Sequence, residues 1–367
     1  MKKKPLPLII LGIETSCDET AASLVTSSRK ILSNVILSQF EKHQDYGGIV
    51  PEIAARAHVD HIDQVIEEAL IQAGLKLQDI DGIAVTAGPG LIGGVMVGVV
   101  TAKAIAMASQ KPILAINHLE GHALSARLTD DIPFPYLLLL ISGGHCQLIN
   151  VKALGNYERL GTTIDDAAGE AFDKTAKILG LGVPGGANLE KAAKGGDPLR
   201  FKLPEPLKGQ DGCDFSFSGL KTALRREAHK HADQKGVLSK VDTKDLAASF
   251  EYTVSKCLKN KTKNAMDIFK TKLINPNHNL RFVVAGGVAS NKRIRNDLSN
   301  LSQENGFLFH APPLWLCTDN AAMIAWAGIE RLKNGERDNF FFKARPRWPL
   351  DQKATAKIGS GKKGPKA

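Results

Sequence analysis

The chain has 367 residues, of which 43% are hydrophobic and 23% charged. This composition excludes a disordered protein, because there are enough apolar residues to form a buried core. The length predicts about two domains. The formal net charge is +10, but much of the excess lies in the Lys-rich ends at 1–7 and 351–367, so charge alone does not indicate a nucleic-acid partner. The five widely spaced cysteines form no C-x-x-C pair, which argues against a disulfide framework and a structural zinc knuckle and predicts a reducing, cytoplasmic location.

Apolar strands and helices alternate through the first part of the chain. The predicted elements are strands at 8–13, 21–26, 31–37, 83–86 and 113–116, and helices at 51–72 and 91–108. The uncharged run 82–102 is long enough to cross a bilayer, but its many glycines and Pro89 favour a strand, a turn and a tightly packed helix. We therefore expect no transmembrane segment and no membrane partner.

The same pattern starts again near residue 136. The predicted elements are strands at 136–141, 147–151 and 281–285, and helices at 164–179, 244–272, 291–300 and 319–333. This repetition predicts an α/β protein with two similar lobes around a central cleft, which is a common place for a ligand. We expect an N-terminal lobe at 8–134 and a C-terminal lobe with helical insertions at 135–350. A basic extension at 1–7 and a disordered tail at 351–367 would flank them.

Three predicted strands end in polar or glycine turns. These turns are GIETSCDET at 12–20, Ser142-Gly143-Gly144, and AGGVASN at 285–291. Successive backbone N–H groups in such turns can bind a phosphate, and the first turn adds carboxylates for a cation or an amine. Each turn alone could be a plain hairpin or, at Asn291, a helix N-cap. Three of them after buried strands favour a nucleotide site.

The segment His118-Leu119-Glu120-Gly121-His122 is typical of a metal site if it is helical, because histidines four residues apart share one helix face. Asp319 is a candidate third ligand, and two histidines with a carboxylate suit iron or zinc. A structural pair of histidines is the alternative. Glu120 stands two residues after the first histidine and should point away from such a metal, which counts against a zincin-type peptidase.

Two further segments carry polar patterns. Asp173 lies on a predicted helix face that it shares with other acids, where it could accept from a hydroxyl or an amine, although surface ion pairs are the alternative. Gly185-Gly186 and Glu190 could close a pocket behind it. Residues 221–272 hold 13 Lys or Arg against six Asp or Glu, which suggests either a solvated helix face or an RNA-backbone footprint.

Ten stretches, taken together and in order, resemble the tRNA N6-adenosine threonylcarbamoyltransferase family, whose bacterial member is the catalytic D subunit. They are GIETSCDET, HQDYGGIVPEIAARAHVDHI, AGPGLIGGVMVG, NHLEGH, LISGGHCQL, IDDAAGEAFDKTAKILGL, FSFSGLKT, AGGVASN, CTDNAAMIAWAG and RPRWPL. They span about Leu8 to Leu350. The resemblance implies the fold shared by actin, sugar kinases and heat-shock chaperone ATPases. It also implies transfer of the threonylcarbamoyl group from threonylcarbamoyl-adenylate to N6 of the adenosine at position 37 of tRNAs reading ANN codons, with release of AMP.

The resemblance also assigns residues and partners. It implies one Fe²⁺ or Zn²⁺ per chain on His118, His122 and Asp319. It implies that the adenylate is bound by Leu140, Ile141, Ser142, Gly143, Gly144, Asp173, Gly186, Glu190 and Asn291. By residue type alone, Asp18 and Glu19 are candidate catalytic proton acceptors. Besides tRNA, the family implies a paralogous dimer partner and a small ATPase.

Other classes of function use similar features. A sugar or small-molecule kinase of the same fold would use Mg-ATP but has no need for a His-x-x-x-His site. A chaperone-like ATPase would need a peptide-binding domain, and too little chain remains for one. A metallopeptidase is disfavoured by the position of Glu120.

Overall fold

The computed structural model describes residues 7–43, 46, 48–273 and 279–355. The predicted basic extension, apart from its last residue, and the predicted tail beyond residue 355 lie outside the described residues. The chain forms two compact units. The first unit comprises the residues up to Ile132 together with Thr318–Gln352, and the second comprises Pro133–Cys317.

The elements follow one another in an alternating α/β order. In the first part of the chain they are β1 (Ile9–Glu14), β2 (Glu19–Thr26), β3 (Ile31–Ser38), α1 (Phe40–His43), α2 (Pro51–Ala73), β4 (Gly82–Gly88), α3 (Ile92–Ser109), β5 (Ile113–Asn117) and α4 (His118–Asp130). After them come β6 (Tyr136–Ile141), β7 (Cys146–Ala153), β8 (Asn156–Thr162), α5 (Ala168–Ile178), α6 (Gly185–Ala193), α7 (Ser218–His231), α8 (Lys240–Lys272), β9 (Arg281–Ala285), α9 (Lys292–Glu304), β10 (Leu308–His310) and α10 (Ala321–Lys333).

Each unit contains one mixed five-stranded sheet. The strand order is β3-β2-β1-β4-β5 in the first unit and β8-β7-β6-β9-β10 in the second. In both sheets the first three strands of the unit form an antiparallel meander. The fourth strand pairs parallel to the first strand of the meander, and the fifth pairs parallel to the fourth. The two units therefore repeat the same topology, which confirms the duplication predicted from the sequence.

The last helix of the described residues, α10, belongs to the first unit. Helix α10 packs on β1, where a side chain at Gly12 would overlap the Ala321 carbonyl oxygen and the Ala325 amide. Only a glycine allows this close approach. Residues 318–350, which the sequence analysis placed in the C-terminal lobe, thus lie with the N-terminal strands because α10 covers their sheet.

Helix α3 is, within the described residues, the one helix whose length and apolar composition would suffice to cross a membrane. In the structure it lies against the first sheet, with Val95, Val99 and Ala102 in the core. Its glycines bring the helix backbone close to the end of β1, and the Thr15 hydroxyl donates to the Gly94 carbonyl at 2.9 Å. The helix thereby supports the polar turn that follows β1.

The second unit differs from the prediction around α5 and α7. The helix predicted at 164–179 begins at Ala168, because residues 163–164 pair with Phe215, whose carbonyl accepts from the Ile164 amide at 2.9 Å. Strands β8 and β10 and helix α7 were not predicted. The core of this unit lies between the sheet and the long helix α8, whose Phe250, Val254 and Phe269 are fully buried.

Candidate functional site

Two histidines lie at the start of α4, directly after β5 ends. The Asn117 side chain accepts from the Leu119 amide at 2.9 Å and so caps the first turn of the helix. His118 and His122 are four residues apart and share one face of the helix. Both imidazoles are buried, and their ring centroids are 4.8 Å apart. The segment is therefore helical, as the metal-site hypothesis requires.

The third predicted ligand reaches the same point from near the end of the chain. Asp319 precedes Asn320, whose side chain caps α10 by accepting from the Met323 amide at 3.0 Å. The Asp319 Oδ1 atom lies 3.5 Å from His118 Nε2 and 3.2 Å from His122 Nε2. The candidate ligand atoms of the three side chains all lie within 4.8 Å of one another. The structure thus brings this set together within the first unit.

The chemistry of these donors fits a divalent transition metal. Two atoms bound to one zinc ion at tetrahedral angles lie roughly 3.4 Å apart, which is close to both distances from the aspartate oxygen. Two imidazoles and one carboxylate also leave coordination positions open, as metal sites that act on substrates do. These residues could therefore hold a metal ion.

The ionisable groups of this cluster strongly shift one another's pKa values. Burial alone would raise the pKa of Asp319, but the charge and hydrogen bonds of the two histidines outweigh burial and hold that pKa well below its ordinary value. Burial alone would lower the pKa of His118, but Asp319 and Glu14 outweigh it and raise that pKa well above its ordinary value. A metal ion that binds here would therefore compete with a proton for His118.

The sequence analysis counted Glu14 among the carboxylates of the first turn but gave this residue, at the buried end of β1, no role of its own. Its Oε1 accepts from the Ser16 amide at 2.6 Å, and its Oε2 accepts from the Thr86 hydroxyl at 2.5 Å. The same Oε2 lies 2.9 Å from His118 Nδ1. Burial would raise the pKa of Glu14, but the neighbouring His118 outweighs burial and lowers it. An acid inside a strand of buried apolar residues was the signal that could have found it.

The candidate proton acceptors Asp18 and Glu19 lie half-buried, in and directly after the turn that joins β1 to β2. Burial, reinforced by the negative charges of Asp319 and Asp18, raises the pKa of Glu19 well above its ordinary value. A carboxyl group with a raised pKa stays protonated, and so cannot accept a proton, over a wider range of pH. Glu19 is therefore the weaker of the two candidates.

A buried histidine that the sequence analysis did not single out supports this turn. The Nε2 atom of His58 lies 3.0 Å from the Cys17 carbonyl, which can only accept, so this nitrogen is the donor. The other ring nitrogen then accepts from the Thr20 hydroxyl at 2.8 Å. Burial lowers the pKa of His58, which agrees with a neutral ring in this role.

Glu120 does not join the metal-ligand set. It is completely buried, and Arg331 of α10 donates from Nε to its Oε2 at 2.7 Å. A zincin-type peptidase needs the acid of its motif beside the metal as a general base. The ion pair with α10 therefore counts against a metallopeptidase, as the spacing predicted.

In the second unit, the Ser142-Gly143-Gly144 turn joins β6 to β7. The Ser142 hydroxyl accepts from the His145 amide at 3.1 Å, and the Ser142 amide donates to the His145 carbonyl at 2.8 Å. Both glycines are exposed, with no atom near the place where a side chain would stand. Leu140 and Ile141 are fully buried, so of these two residues only the backbone could contact a ligand.

Asp173 and Gly186 are brought together by α5 and α6. The Gly186 amide, in the first turn of α6, donates to Asp173 Oδ1 at 3.2 Å. A side chain at Gly185 would overlap Asp173, so a glycine is needed for the two helices to approach. Asp173 remains exposed, as a residue that contacts a ligand must be.

Glu190 and Asn291 use their side chains within the protein. Glu190 Oε1 accepts from the Lys292 amide at 3.0 Å. The Asn291 side chain accepts from the Ile294 amide at 3.0 Å, which caps α9, and donates to Glu251 Oε1 at 2.8 Å. The capping role that the sequence left open for Asn291 is therefore present. Glu251, which was not predicted, is buried, and burial raises its pKa above the ordinary value.

Comparison with known proteins gives a consistent result. A family model described as tRNA N6-adenosine threonylcarbamoyltransferase matches residues 30–326. Curated relatives with that name from Brucella abortus, Brucella melitensis and Brucella ovis are each 56% identical over 365 residues, which cover 98% of this chain and 99% of theirs.

Solved structures support the fold. Component A of (R)-2-hydroxyglutaryl-CoA dehydratase from Acidaminococcus fermentans has a TM-score of 0.52 at 17% identity, and the match covers 89% of this chain and 99% of that one. HypF of T. kodakarensis has a TM-score of 0.58 at 14% identity and covers 90% of this chain and 50% of that one. The predicted actin-like and sugar-kinase-type fold is thereby confirmed.

The alternatives from other classes are not favoured. A kinase of this fold has no use for the convergent His118, His122 and Asp319, and Glu120 is in the wrong place for a peptidase. The family match extends over most of the chain, and the relatives match it almost end to end. This chain therefore belongs to the tRNA N6-adenosine threonylcarbamoyltransferase family.

Proposed function

We propose that this enzyme, a transferase that threonylcarbamoylates tRNA, takes the group from threonylcarbamoyl-adenylate and modifies N6 of the adenosine at position 37 in tRNAs reading ANN codons. The bond from N6 to the carbamoyl carbon forms, the bond from that carbon to the phosphate oxygen breaks, and AMP leaves. The observation that carries this proposal is the convergence of His118, His122 and Asp319 in a chain of this family.

One Fe²⁺ or Zn²⁺ per chain would be held by these three side chains. When bound, the ion would supply a Lewis acid for negative charge that develops on the carbamoyl group. The protein's contribution is to keep two imidazoles and a carboxylate pre-arranged at the starts of α4 and α10, so that little reorganisation is needed.

The second unit would hold the adenylate. The exposed Ser142-Gly143-Gly144 turn offers backbone N–H groups to a phosphate, and Asp173 with the Gly186 amide offers an acceptor and a donor to a hydroxyl-bearing group. Glu190 and Asn291 would act by fixing the start of α9, because their side chains are engaged there. Orientation of two reactants is the main task, since AMP is already a good leaving group.

The proton lost by N6 needs an acceptor near the metal ligands. Of the two candidates in the turn after β1, we propose Asp18, because the raised pKa of Glu19 keeps that group protonated over a wider range of pH. His58 would keep this turn in place through its bond to the Cys17 carbonyl.

The partners beyond tRNA are a paralogous protein and a small ATPase. An exposed apolar row on α3 supports a protein partner at the first unit: Ile92, Met96, Val100 and Met107 are 45–65% exposed and follow helical spacing. A cytoplasmic location fits a tRNA substrate and the five free cysteines.

Mass spectrometry of tRNA nucleosides tests the proposal. The purified chain and its partners are incubated with tRNA, threonine, bicarbonate, ATP and the adenylate-forming enzyme, and threonylcarbamoyladenosine is expected. His118→Ala should lose bound metal and product together, whereas His229→Ala, at an exposed position on α7, should keep both. Full modification by a metal-free His118→Ala protein would contradict the ligand assignment, and ATP-dependent phosphorylation of a hydroxyl substrate would favour a kinase.

A further inference from the structure

We propose that Glu14 is a positioning residue for the metal site: it holds a proton on Nδ1 of His118 and thereby leaves Nε2 of that ring free to bind the ion. This inference rests on the proposed metal site and adds a residue to it. Glu14 lies on β1, 104 residues before His118 in sequence, and is 1% exposed.

The surroundings of Glu14 fix its carboxylate in place. The Ser16 amide donates to Oε1 of Glu14 at 2.6 Å, and the Thr86 hydroxyl donates to Oε2 at 2.5 Å. The amide and the hydroxyl both donate to Glu14. This arrangement suits a carboxylate, which can only accept hydrogen bonds. The hydrogen in its 2.9 Å contact with His118 must therefore sit on Nδ1.

The consequence for His118 concerns the other side of the ring. Metal binding requires the neutral ring, and a neutral imidazole that carries its hydrogen on Nδ1 presents the lone pair of Nε2, which is the atom 3.5 Å from Asp319 Oδ1. The Ser16 hydroxyl also lies 3.2 Å from Nδ1, but a hydroxyl can donate or accept and so does not select a tautomer. Only the carboxylate forces the form that binds a metal through Nε2.

The two histidines differ in this respect. Within the described part of the chain, Nδ1 of His122 is buried and has no hydrogen-bond partner. Of the two histidines, and within the described residues, only His118 thus has a carboxylate hydrogen-bonded to its Nδ1 atom. A carboxylate behind a metal-binding histidine typically raises metal affinity by 10–100-fold, because it fixes both tautomer and ring orientation.

The first test is the Zn²⁺ affinity of the full-length chain, measured by competition with a chromophoric chelator. Glu14→Gln offers a single acceptor oxygen for the Ser16 amide and the His118 ring together, so we expect the dissociation constant to rise roughly 10–100-fold. The matched control Ser16→Ala keeps the backbone amide and removes only the competing hydroxyl, and should stay close to wild type. Equal affinity of wild type and Glu14→Gln, or an equal loss in Ser16→Ala, would overturn the inference.

The second test needs no variant of Glu14. In wild-type protein labelled with ¹⁵N-histidine and loaded with Zn²⁺, His118 should show a protonated Nδ1 and a metal-bound Nε2. Coordination through Nδ1, or an unprotonated Nδ1, would refute the role of Glu14. Because both readouts concern Zn²⁺ binding, a failure to modify tRNA would contradict the proposed function without affecting this inference.

Discussion

Asp173 connects the exposed face of α5 to the first turn of α6 through the Gly186 amide. If it contacts the adenylate, Asp173→Asn should raise KM for that substrate roughly 10-fold, because a charge-assisted hydrogen bond is lost. The metal content should not change, since the proposed metal ligands lie in the first unit. Steady-state kinetics with metal analysis checks both, and Asp267→Asn on an exposed part of α8 is the control. An unchanged KM would reject the role of Asp173.

Residues whose roles depend on local geometry could be predicted from sequence. The pair His118 and His122 needs only four-residue spacing on a helix, and the structure provides that helix. Glu14 and Glu251 could not be assigned in the same way. Their partners come from distant strands and helices, such as Thr86, which lies 72 residues after Glu14. The hydrogen-bond partners of these carboxylates are thus set by the tertiary fold and not by local spacing.

The start of α7 depends on a cap from another segment. Asp165 accepts from the Phe217 amide at 2.8 Å and the Ser218 amide at 3.2 Å, as well as from the hydroxyls of Ser216 and Ser218. Although burial alone would raise the pKa of Asp165, these hydrogen bonds outweigh burial and lower it. Loss of the cap in Asp165→Asn should therefore lower the free energy of unfolding by about 1–2 kcal/mol at neutral pH.

The pH dependence of that loss follows from the direction of the shift. A carboxylate with a lowered pKa stabilises the folded state above its unfolded pKa of about 3.9 and loses this effect as pH falls through the folded pKa. The difference between wild type and Asp165→Asn should be constant near neutrality and shrink in acid. Hydrogen exchange of the α7 amides measures it, with Asp211→Asn at an exposed site as control. A difference that grows in acid would contradict this account.

Elements differ in how far local sequence determines them. The bounds of β6 and β9, Tyr136–Ile141 and Arg281–Ala285, agree with the prediction because apolar residues run without interruption through 136–141 and 282–285. Helix α7 was missed, since its cap comes from a residue more than 50 positions earlier. The three-residue strand β10 exists only through its parallel pairing with β9. The local sequence of an element that depends on a distant partner contains little information from which the element could be predicted.

At the scale of the whole molecule, the exposed apolar row on α3 should be a contact for the paralogous partner. A lysine in place of Val100, which is 62% exposed, should weaken partner binding by about 2 kcal/mol, a factor of ~30, because a charge would be buried in the interface. Val237→Lys, at a residue 60% exposed in the second unit, should have no effect. Analytical sedimentation of the mixed proteins measures both effects. If Val100→Lys associates as wild type does, this face of α3 is not the contact for the partner.

The order in which the ligands occur along the chain bears on how the enzyme matures. His118 and His122 leave the ribosome early, but Asp319 follows almost 200 residues later, together with the helix that covers the first sheet. A nascent chain that stops before α10 lacks both the third ligand and part of a folded unit. If the three side chains bind an ion as proposed, stable binding would require that α10 has been synthesised, and chains terminated before it should be apo and exposed to proteolysis.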